Sequence, residues 1–368
     1  MNPIVDNISE EDNILTFNIK NINFSCINSL RRIILSEIPC FVFETTPYEK
    51  NKDNIEINTT RLNNEIIKQR LSCIPIHIND ENFPIDDYIM ILDKKNTTDS
   101  IIYITTEDFQ IKNLITEKFL SKDELRSIFP PDSITGDYIE FVRLRPNLTN
   151  VTSGEHLKMS CKFIKNIAKN NYSYNLTSTC AYNAVMDEEA SKIAWLQKEK
   201  EYKEKNIPSD EIEYFKRDFM NLDAKRFIVK DSFKFILETV GIYSNFKLIE
   251  LGCLIINKKL SNLLNKIQSN NDLINKSNNT MENCYDIILE DEDYTIGKII
   301  EYVLYIKYFE EKKELSYCGF IKKHPHDLNS IIRLTFKEDV SNDIIIAYLV
   351  YSIKTLQEIY IKIKDEFK

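Results

Sequence analysis

Glycine is scarce in this chain of 368 residues, which contains only six. None belongs to a G-x-x-x-x-G-K-[ST] or G-x-G-x-x-G motif, the glycine-rich loops whose backbone amides cradle phosphate groups. The sequence therefore gives no indication of a mononucleotide- or dinucleotide-binding loop.

Closely spaced cysteines are also lacking, since no C-x-x-C pair occurs among the eight. Such scattered cysteines suit buried thiols in a reducing compartment better than disulfides or a zinc site. Together with the four histidines they are too few and too dispersed to indicate a Cys–His nucleophile. The cysteines occupy positions 26, 40, 73, 161, 180, 253, 284 and 318.

Long apolar runs and a net positive charge are two further absences. No apolar stretch approaches the roughly 20 residues that span a bilayer, and the acidic start "MNPIVDNISEEDNILTF" does not resemble a signal peptide. We therefore expect a soluble, intracellular protein without membrane contact.

The net charge of −9 argues against a surface devoted to nucleic acid, although a local basic patch remains compatible with it. With 43% hydrophobic residues, the chain can bury a core in two or three domains.

The clearest secondary-structure signal in the sequence is the segment "NSLRRIILSEIP", residues 28–39. It predicts an amphipathic helix, capped by Ser25 or Asn28 and ended by Pro39. Arg31 and Arg32 flank an apolar stripe. Without a family resemblance, the simplest interpretation of such arginines is that they are solvated charges. The stripe consists of Ile27, Leu30, Ile33, Ile34 and Ile38.

The rest of the chain contains an internal pseudo-repeat. A strand, the arginine helix, further strands and the apolar-striped helix 246–267 make the first copy, interrupted by β-like runs between 76 and 222. The charged part of that interruption, 187–218, predicts two exposed helices broken near Pro208. A polar, Asn-rich linker at 268–283 precedes the second copy, whose strand, capped helix, two strands and long helix occupy 284–368.

Two sets of motifs carry a resemblance to a known family. "NSLRRIILSEIP…NTTRLNNEIIKQRLSCIPI" resembles the signature of the bacterial RNA polymerase α subunit and the eukaryotic third-largest subunit. "EDEDYTIGKIIEYVL" and "YCGFIKKHPHDLNSIIRLTF" resemble the eleventh subunit. "GEHLKMSCKFIKNIAKNNYSYNLTSTCAY" looks like the strand pair that closes the third subunit's insertion domain. The order, third then eleventh, is similar to the fused subunits of large cytoplasmic DNA viruses.

Several positions depart from the family pattern. Ser29 stands where the arginine helix usually has alanine, and Asn64 and Gln69 replace an acid and a histidine. In the second copy Lys298 and Glu301 replace Asn and Arg, so only the first copy keeps the basic face. The cysteine cluster that holds zinc, or iron–sulfur in some relatives, is missing between positions 73 and 161. We therefore expect no metal and no other cofactor.

The resemblance implies an α+β fold with two α-subunit-type dimerisation modules that form an intramolecular pseudo-dimer. The first module is expected at 1–75 and 223–267, interrupted by a mostly β insertion domain at 76–222. The linker 268–283 and the second module at 284–368 follow. The modules are expected to pair through helix residues Ile27, Leu30, Ile33, Ile34, Ile299, Ile300, Val303 and Leu304.

The function implied by the resemblance is that of a non-catalytic assembly subunit of a multisubunit DNA-directed RNA polymerase. The first half would face the second-largest subunit through Arg31, Arg32, Glu37 and Arg70, because the guanidinium fork suits interfacial carboxylates. The second half would face the largest subunit. Small zinc-binding polymerase subunits are further candidate partners, and little direct nucleic-acid contact is expected. The location would be a host cytoplasm and virion for a viral chain, and otherwise the nucleus.

Other interpretations stay open at this point. "EDED" at 290–293 would be a magnesium site only with a fixed carboxylate cluster, and the family places a strand-to-helix turn there. The His324-Pro325-His326 segment lacks a third ligand and favours a turn. A stand-alone nucleic-acid or regulatory binding protein with this fold is the main alternative function. An enzyme with an unrecognised site in the insertion domain is a remoter one.

Overall fold

The computed structural model describes residues 2–80, 82–147, 154–278 and 280–367. The remaining positions of the predicted modules, insertion domain and linker lie outside the described residues. Fifteen strands and eight α-helices make up the described chain. The strands are β1 (Ile4–Glu11), β2 (Ile14–Lys20), β3 (Pro39–Phe43), β4 (Asp53–Asn58), β5 (Tyr88–Lys95), β6 (Ile102–Thr105), β7 (Gln110–Asn113), β8 (Glu140–Leu144), β9 (His156–Ile167), β10 (Thr177–Met186), β11 (Ile228–Thr239), β12 (Ile274–Lys276), β13 (Cys284–Leu289), β14 (Leu315–Ile321) and β15 (Ser330–Phe336). The helices are α1 (Phe24–Ser36), α2 (Asn64–Ser72), α3 (Lys122–Ile128), α4 (Glu188–Glu204), α5 (Ser209–Asn221), α6 (Asn245–Ser269), α7 (Tyr294–Leu304) and α8 (Asn342–Asp365).

The chain divides into two units, and the first comprises 1–33, 179–238 and 245–368. It holds two antiparallel four-stranded sheets, with strand orders β1-β2-β11-β10 and β12-β13-β15-β14. Helices α6 and α8 pack along each other, and α7 contacts both. Their inward faces are buried at helical spacing, as expected for stripes that face a core. The buried stripe of α8 is Ile345, Leu349, Ile353, Leu356, Ile359, Tyr360 and Ile363.

An aromatic cluster joins the end of α8 to the first sheet of this unit. Phe367, which follows α8, is buried and packs its ring edge against Phe17 of β2, with the ring centroids 4.8 Å apart. It also lies 5.9 Å from the Phe246 ring at the start of α6. Phe17 in turn stacks on Phe235 of β11. Phe367 thus connects the end of α8 to β2 and to the start of α6.

The second unit comprises 34–178 and 239–244. Its main sheet has the order β3-β9-β5-β7, with β4 also paired to β9, and a separate two-stranded sheet pairs β6 with β8. The core of this unit is a cluster of phenylalanine rings with edge and stacked contacts 5.0–6.5 Å apart. The cluster contains Phe43, Phe109, Phe129, Phe141 and Phe163.

Several sequence-based expectations are corrected by these elements. Strands β9 and β10 do not pair with each other, because β9 lies in the middle of the second unit's main sheet while β10 joins β11. The predicted linker 268–283 contains strand β12, which pairs with β13. The polar composition of the segment gave no indication of a strand. The two helices predicted in 187–218 are present as α4 and α5. They are not wholly exposed, because Trp195 and Phe219 are buried against each other.

Helix α8 is long and apolar enough to cross a membrane by length and composition alone. The expectation that no segment approaches that length was therefore too strict. In the structure, however, α8 packs along α6 and buries eight of its side chains. Packing of this kind is typical of a core helix in a globular domain.

Candidate interaction site

The arginine helix α1 begins at Phe24, before both of the caps predicted for it. The Asn23 side chain accepts a hydrogen bond from the Ser25 amide at 2.9 Å, so Asn23 provides the polar cap predicted for Ser25 or Asn28. The whole predicted stripe is buried, with Ile27, Leu30 and Ile33 each at 0% exposure. Burial of this stripe leaves the two arginines at the margin of the helix, both part-exposed.

Arg32 is held by the start of α7, the matching helix of the second copy. Its Nη2 lies 2.9 Å from Asp293 Oδ2, and its Nε donates to Thr295 Oγ1 at 2.8 Å. The other Asp293 oxygen accepts from the Thr295 amide at 2.8 Å and caps α7. A carboxylate at a helix N-terminus interacts favourably with the helix dipole as well as with the guanidinium. Asp293 therefore caps one helix and binds the other.

Ser29 adds a second polar contact between the same two helices. Its hydroxyl is buried and lies 2.6 Å from the Thr295 carbonyl and 2.9 Å from the Ser25 carbonyl of its own helix. One hydroxyl proton serves these two acceptors. Ser29 thus supplies a hydrogen bond to α7 that an alanine at this position could not make.

The apolar surfaces predicted to pair are buried on both helices. Ile299, Ile300 and Leu304 of α7 are each 0% exposed, and Val303 is 5% exposed. The fully buried Tyr360 of α8 donates its hydroxyl hydrogen bond to the Cys26 carbonyl of α1 at 3.0 Å. Burial raises the pKa of the Tyr360 hydroxyl well above its ordinary value, so it stays protonated as a donor.

Arg31 has different surroundings from Arg32. Its Nε donates to Asn28 Oδ1 at 3.0 Å, within the same helix. Among the residues that the structure describes, no carboxylate lies within 4 Å of its guanidinium. Its charge and most of its donors are therefore available to a partner, whereas those of Arg32 are largely engaged.

The two departures on α7 form a local pair. Lys298 and Glu301 are joined by an ion pair of 2.6 Å, and the other Glu301 oxygen accepts from the Phe320 amide at 3.1 Å. This pair lines a groove of about 570 Å³ between α1 and α7, together with Asn28, Ser29 and Arg32. Helix α7 thus carries an ion pair with no net charge, whereas α1 carries two arginines.

Glu37 and Arg70, also predicted at the interface, belong to the second unit. Glu37 is largely buried, and one of its oxygens lies 3.7 Å from Lys169 Nζ. Arg70 of α2 is exposed and donates to the backbone carbonyls of Phe141 at 2.6 Å and Glu140 at 2.8 Å. The structure therefore places the four predicted residues in two units, and their joint role at an interface stays a prediction.

The acidic run 290–293 and the segment from His324 to His326 both lie in turns. Asp293 is the cap of α7, and Glu292 forms an ion pair of 3.2 Å with Lys259 of α6. His324 lies in a turn closed by Asp327, whose carboxylate accepts from the His324 amide at 3.0 Å. Within the described residues, no three His, Cys, Asp or Glu side chains are grouped as metal ligands.

Comparison with known proteins identifies the family. The RNA polymerase Rpb3/Rpb11 dimerisation domain matches residues 16–260, which is more than half of the chain. The chain belongs to this family. A similar protein is the DNA-directed RNA polymerases I and III subunit rpac1 of Dictyostelium discoideum, 28% identical over 190 residues. That alignment covers 48% of this chain and 50% of the relative, so the chain spans about half the relative's length.

The asparagine and threonines of the "NTT" segment, residues 58–60, make the hydrogen bonds that shape the turn before α2. Asn58 accepts from the Thr60 amide and hydroxyl, and its amide donates to the Leu62 carbonyl at 2.9 Å. Thr59 Oγ1 accepts from the His156 amide at 2.8 Å, which fixes the turn to β9. This part of the family signature therefore builds the turn into α2.

Sequence reasoning missed three residues that join the two copies. These are Ser29, Asp293 and Tyr360, whose contacts connect α1 to α7 and α8. Ser29 had been noted only as a departure, and Asp293 only as part of a solvated turn. For Tyr360 the available signal was its place on the apolar stripe of α8, where a hydroxyl requires a partner.

Proposed function

We propose that this chain is a non-catalytic assembly subunit of a multisubunit DNA-directed RNA polymerase. The family match over residues 16–260 supports a polymerase subunit of the α type. The single observation that carries the proposal further is the bridge from Arg32 to Asp293 and Thr295. It fastens the arginine helix of the first copy to the matching helix of the second.

The proposed architecture is an intramolecular pseudo-dimer. Its first module would be 1–75 with 223–267, its insertion domain 76–222 and its second module 284–368, connected through 268–283. The α1–α7 and α6–α8 contacts support this pairing. A covalent tether makes docking intramolecular, with an effective concentration on the order of millimolar, and fixes a one-to-one ratio.

The proposed partners are the two large catalytic subunits. Arg31 would bind a carboxylate of the second-largest subunit, because it is part-exposed and has no carboxylate near it among the described residues. The second module would face the largest subunit, and small zinc-binding subunits would be additional partners. We propose no catalytic site, no cofactor and little nucleic-acid contact for this chain, which would act inside the cell wherever its polymerase transcribes.

Affinity purification of the tagged full-length chain from the cells that naturally make it tests the polymerase assignment. We expect both large polymerase subunits to co-purify in equal proportion with the chain, identified by mass spectrometry. Absence of both would overturn the assignment. Tight filter binding of nucleic acid by the chain alone would instead favour a stand-alone binding protein.

Cleavage within the predicted linker tests the pairing separately. A protease recognition sequence inserted at residues 278–282 allows the purified chain to be cut under native conditions. Because the α1–α7 and α6–α8 contacts are non-covalent and extensive, the two fragments should co-elute on gel filtration. Separation of the fragments at micromolar concentration would contradict the pseudo-dimer without affecting the family assignment.

A further inference from the structure

A cleft of about 450 Å³ in the second unit contains four of the chain's ten arginines. It lies beside β8, whose register pairs Arg143 with Tyr103 of β6. Its volume falls within the about 300–1,000 Å³ that ligand sites occupy. The cleft is lined by Arg61, Arg70, Arg143 and Arg145, two glutamates, and the apolar residues Leu62, Ile101, Phe141 and Val142.

Two of the four arginines are neutralised within the cleft. Arg143 forms a bidentate pair with Glu140, with Nε 2.8 Å from Oε1. The buried Glu155 accepts from the Arg145 amide at 2.7 Å and from its Nε at 2.6 Å. Gly154 allows this arrangement, because a Cβ there would lie 2.0 Å from the Asn96 carbonyl oxygen. These two pairs contribute no net charge.

The other two arginines keep their charge. Arg70 donates from Nε and one Nη to backbone carbonyls, which leaves the rest of its five donors unused and cancels no charge. Arg61 is exposed in the turn before α2. Among the described residues, neither guanidinium has a carboxylate within 4 Å. The cleft therefore has a net charge of about +2 on a chain whose net charge is −9.

We propose that this arginine cleft binds an acidic peptide segment of a partner protein. Neighbouring carboxylates of the segment would meet the forks of Arg61 and Arg70, since planar carboxylates match guanidinium donors in pairs. An apolar side chain of the segment would cover Ile101, which is 52% exposed. Nucleic acid fits less well, because the cleft has only two unpaired guanidinium charges, enough for neighbouring carboxylates of a peptide but not for a continuous phosphate backbone. The inference rests on the charges of the cleft and not on the polymerase assignment.

Fluorescence anisotropy with the purified full-length chain at low salt tests this proposal. The probe is a short fluorescein-labelled peptide with a run of glutamates between leucines, compared with the same peptide carrying glutamines. We expect binding of the glutamate peptide alone. Arg61→Gln should weaken it about tenfold, the effect of losing one hydrogen-bonded charge contact. Arg61→Glu should abolish it.

The matched control is Arg126→Gln on α3, an exposed arginine of the same unit that does not line the cleft. It should leave peptide binding within twofold of the wild type. Equal loss in the Arg61→Gln and Arg126→Gln variants would show that only net charge matters and would overturn the proposal. No binding at low salt, or tighter binding of a single-stranded oligonucleotide, would overturn it as well.

Discussion

Arg32 and Asp293 lie 261 positions apart in the chain, and the guanidinium Nη2 of one is 2.9 Å from Oδ2 of the other. The remaining Asp293 oxygen caps α7, so the same carboxylate caps α7 and binds Arg32 of α1. The pair is partly solvated, with 40% and 27% of the two side chains exposed. Its expected contribution to stability is therefore modest, and its larger role is to set how the two helices meet.

The first prediction separates the cap from the ion pair. Asp293→Asn keeps an oxygen for the Thr295 amide and removes the charge, so the free energy of unfolding should fall by at most about 1 kcal/mol. Asp293→Ala removes both interactions and should cost about 1–2 kcal/mol. Urea unfolding followed by circular dichroism measures both values.

Arg31→Gln is the control for this comparison, because Arg31 lies on the same helix without a carboxylate neighbour among the described residues. It should change stability by less than about 0.5 kcal/mol. In a double-mutant cycle, Arg32→Gln should couple to Asp293→Asn, whereas Arg31→Gln should not. Absence of coupling between Arg32→Gln and Asp293→Asn would show that the ion pair does not form in solution.

The second prediction distinguishes the two arginines in partner binding. Arg31→Glu should leave the melting temperature unchanged while it weakens capture of the second-largest polymerase subunit by tenfold or more, the effect of reversing an interfacial charge. Arg32→Glu would face Asp293, and like charges at that distance should lower both stability and capture. Thermal melts and pull-downs with the two variants measure these effects. Unchanged capture by Arg31→Glu would remove Arg31 from the proposed contact.

The third prediction concerns alkaline pH. Burial raises the pKa of the Cys26, Cys40 and Cys180 thiols from 9.0 to about 12. Above pH 9 the unfolded chain releases these protons while the folded chain retains them, so stability is complete below pH 9 and declines as the pH rises towards 12. Each such thiol should lower the free energy of unfolding by about 1.4 kcal/mol per pH unit in that window. Urea unfolding between about pH 8 and pH 10 gives the slope.

Matched cysteine variants assign that slope. Cys180→Ala removes one buried thiol and should reduce the alkaline slope, and Cys73→Ala, which removes an exposed thiol, is the matched control. Cys73 should also react first with a thiol reagent in the folded protein, since access controls such reactions. An alkaline slope that does not respond to Cys180→Ala would show that this thiol already ionises in the folded state.

The long periodic helices could be predicted from the sequence because their stripes repeat over several turns. The stripe predicted for α1 and the four apolar residues predicted for α7 are buried in the structure. Short or polar strands were missed, as with β1, β4, β7 and β12. An edge strand such as β12 is stabilised by its partner's backbone, and the sequence "INK" carries no alternation long enough to recognise.

The contacts between the copies could not be predicted in the same way. Periodicity tells which side of α1 is apolar, but the partner of Arg32 depends on where α7 begins in space. From the sequence, both arginines are expected to contact an external subunit, whereas the structure gives Arg32 an internal partner. Ser29 was a local signal that α1 contacts another element, since a buried hydroxyl needs an acceptor. That acceptor is the Thr295 carbonyl of α7.

The final prediction concerns Gly297, a buried glycine in the first turn of α7. In a solvated helix, Gly→Ala stabilises by about 1 kcal/mol because alanine has the higher helix propensity. Here a Cβ would lie 1.9 Å from Cε2 of Phe320 on β14. The Phe320 ring also packs its edge against Tyr294, with the centroids 5.1 Å apart, so moving the ring away from the new Cβ would disturb that contact. Gly297→Ala should therefore destabilise the protein by about 1–3 kcal/mol, the usual effect of overpacking.

Phe320→Leu provides the test of that cause. The smaller side chain removes the ring atoms nearest the new Cβ, so Gly297→Ala should cost much less in the Phe320→Leu background than in the wild type. Urea unfolding of the two single variants and the double variant measures this coupling. Stabilisation by Gly297→Ala alone would show that helix propensity outweighs the contact and that β14 packs less closely on α7 than described. A cost that is equal in both backgrounds would locate the strain in the helix backbone, because the ring would then make no difference.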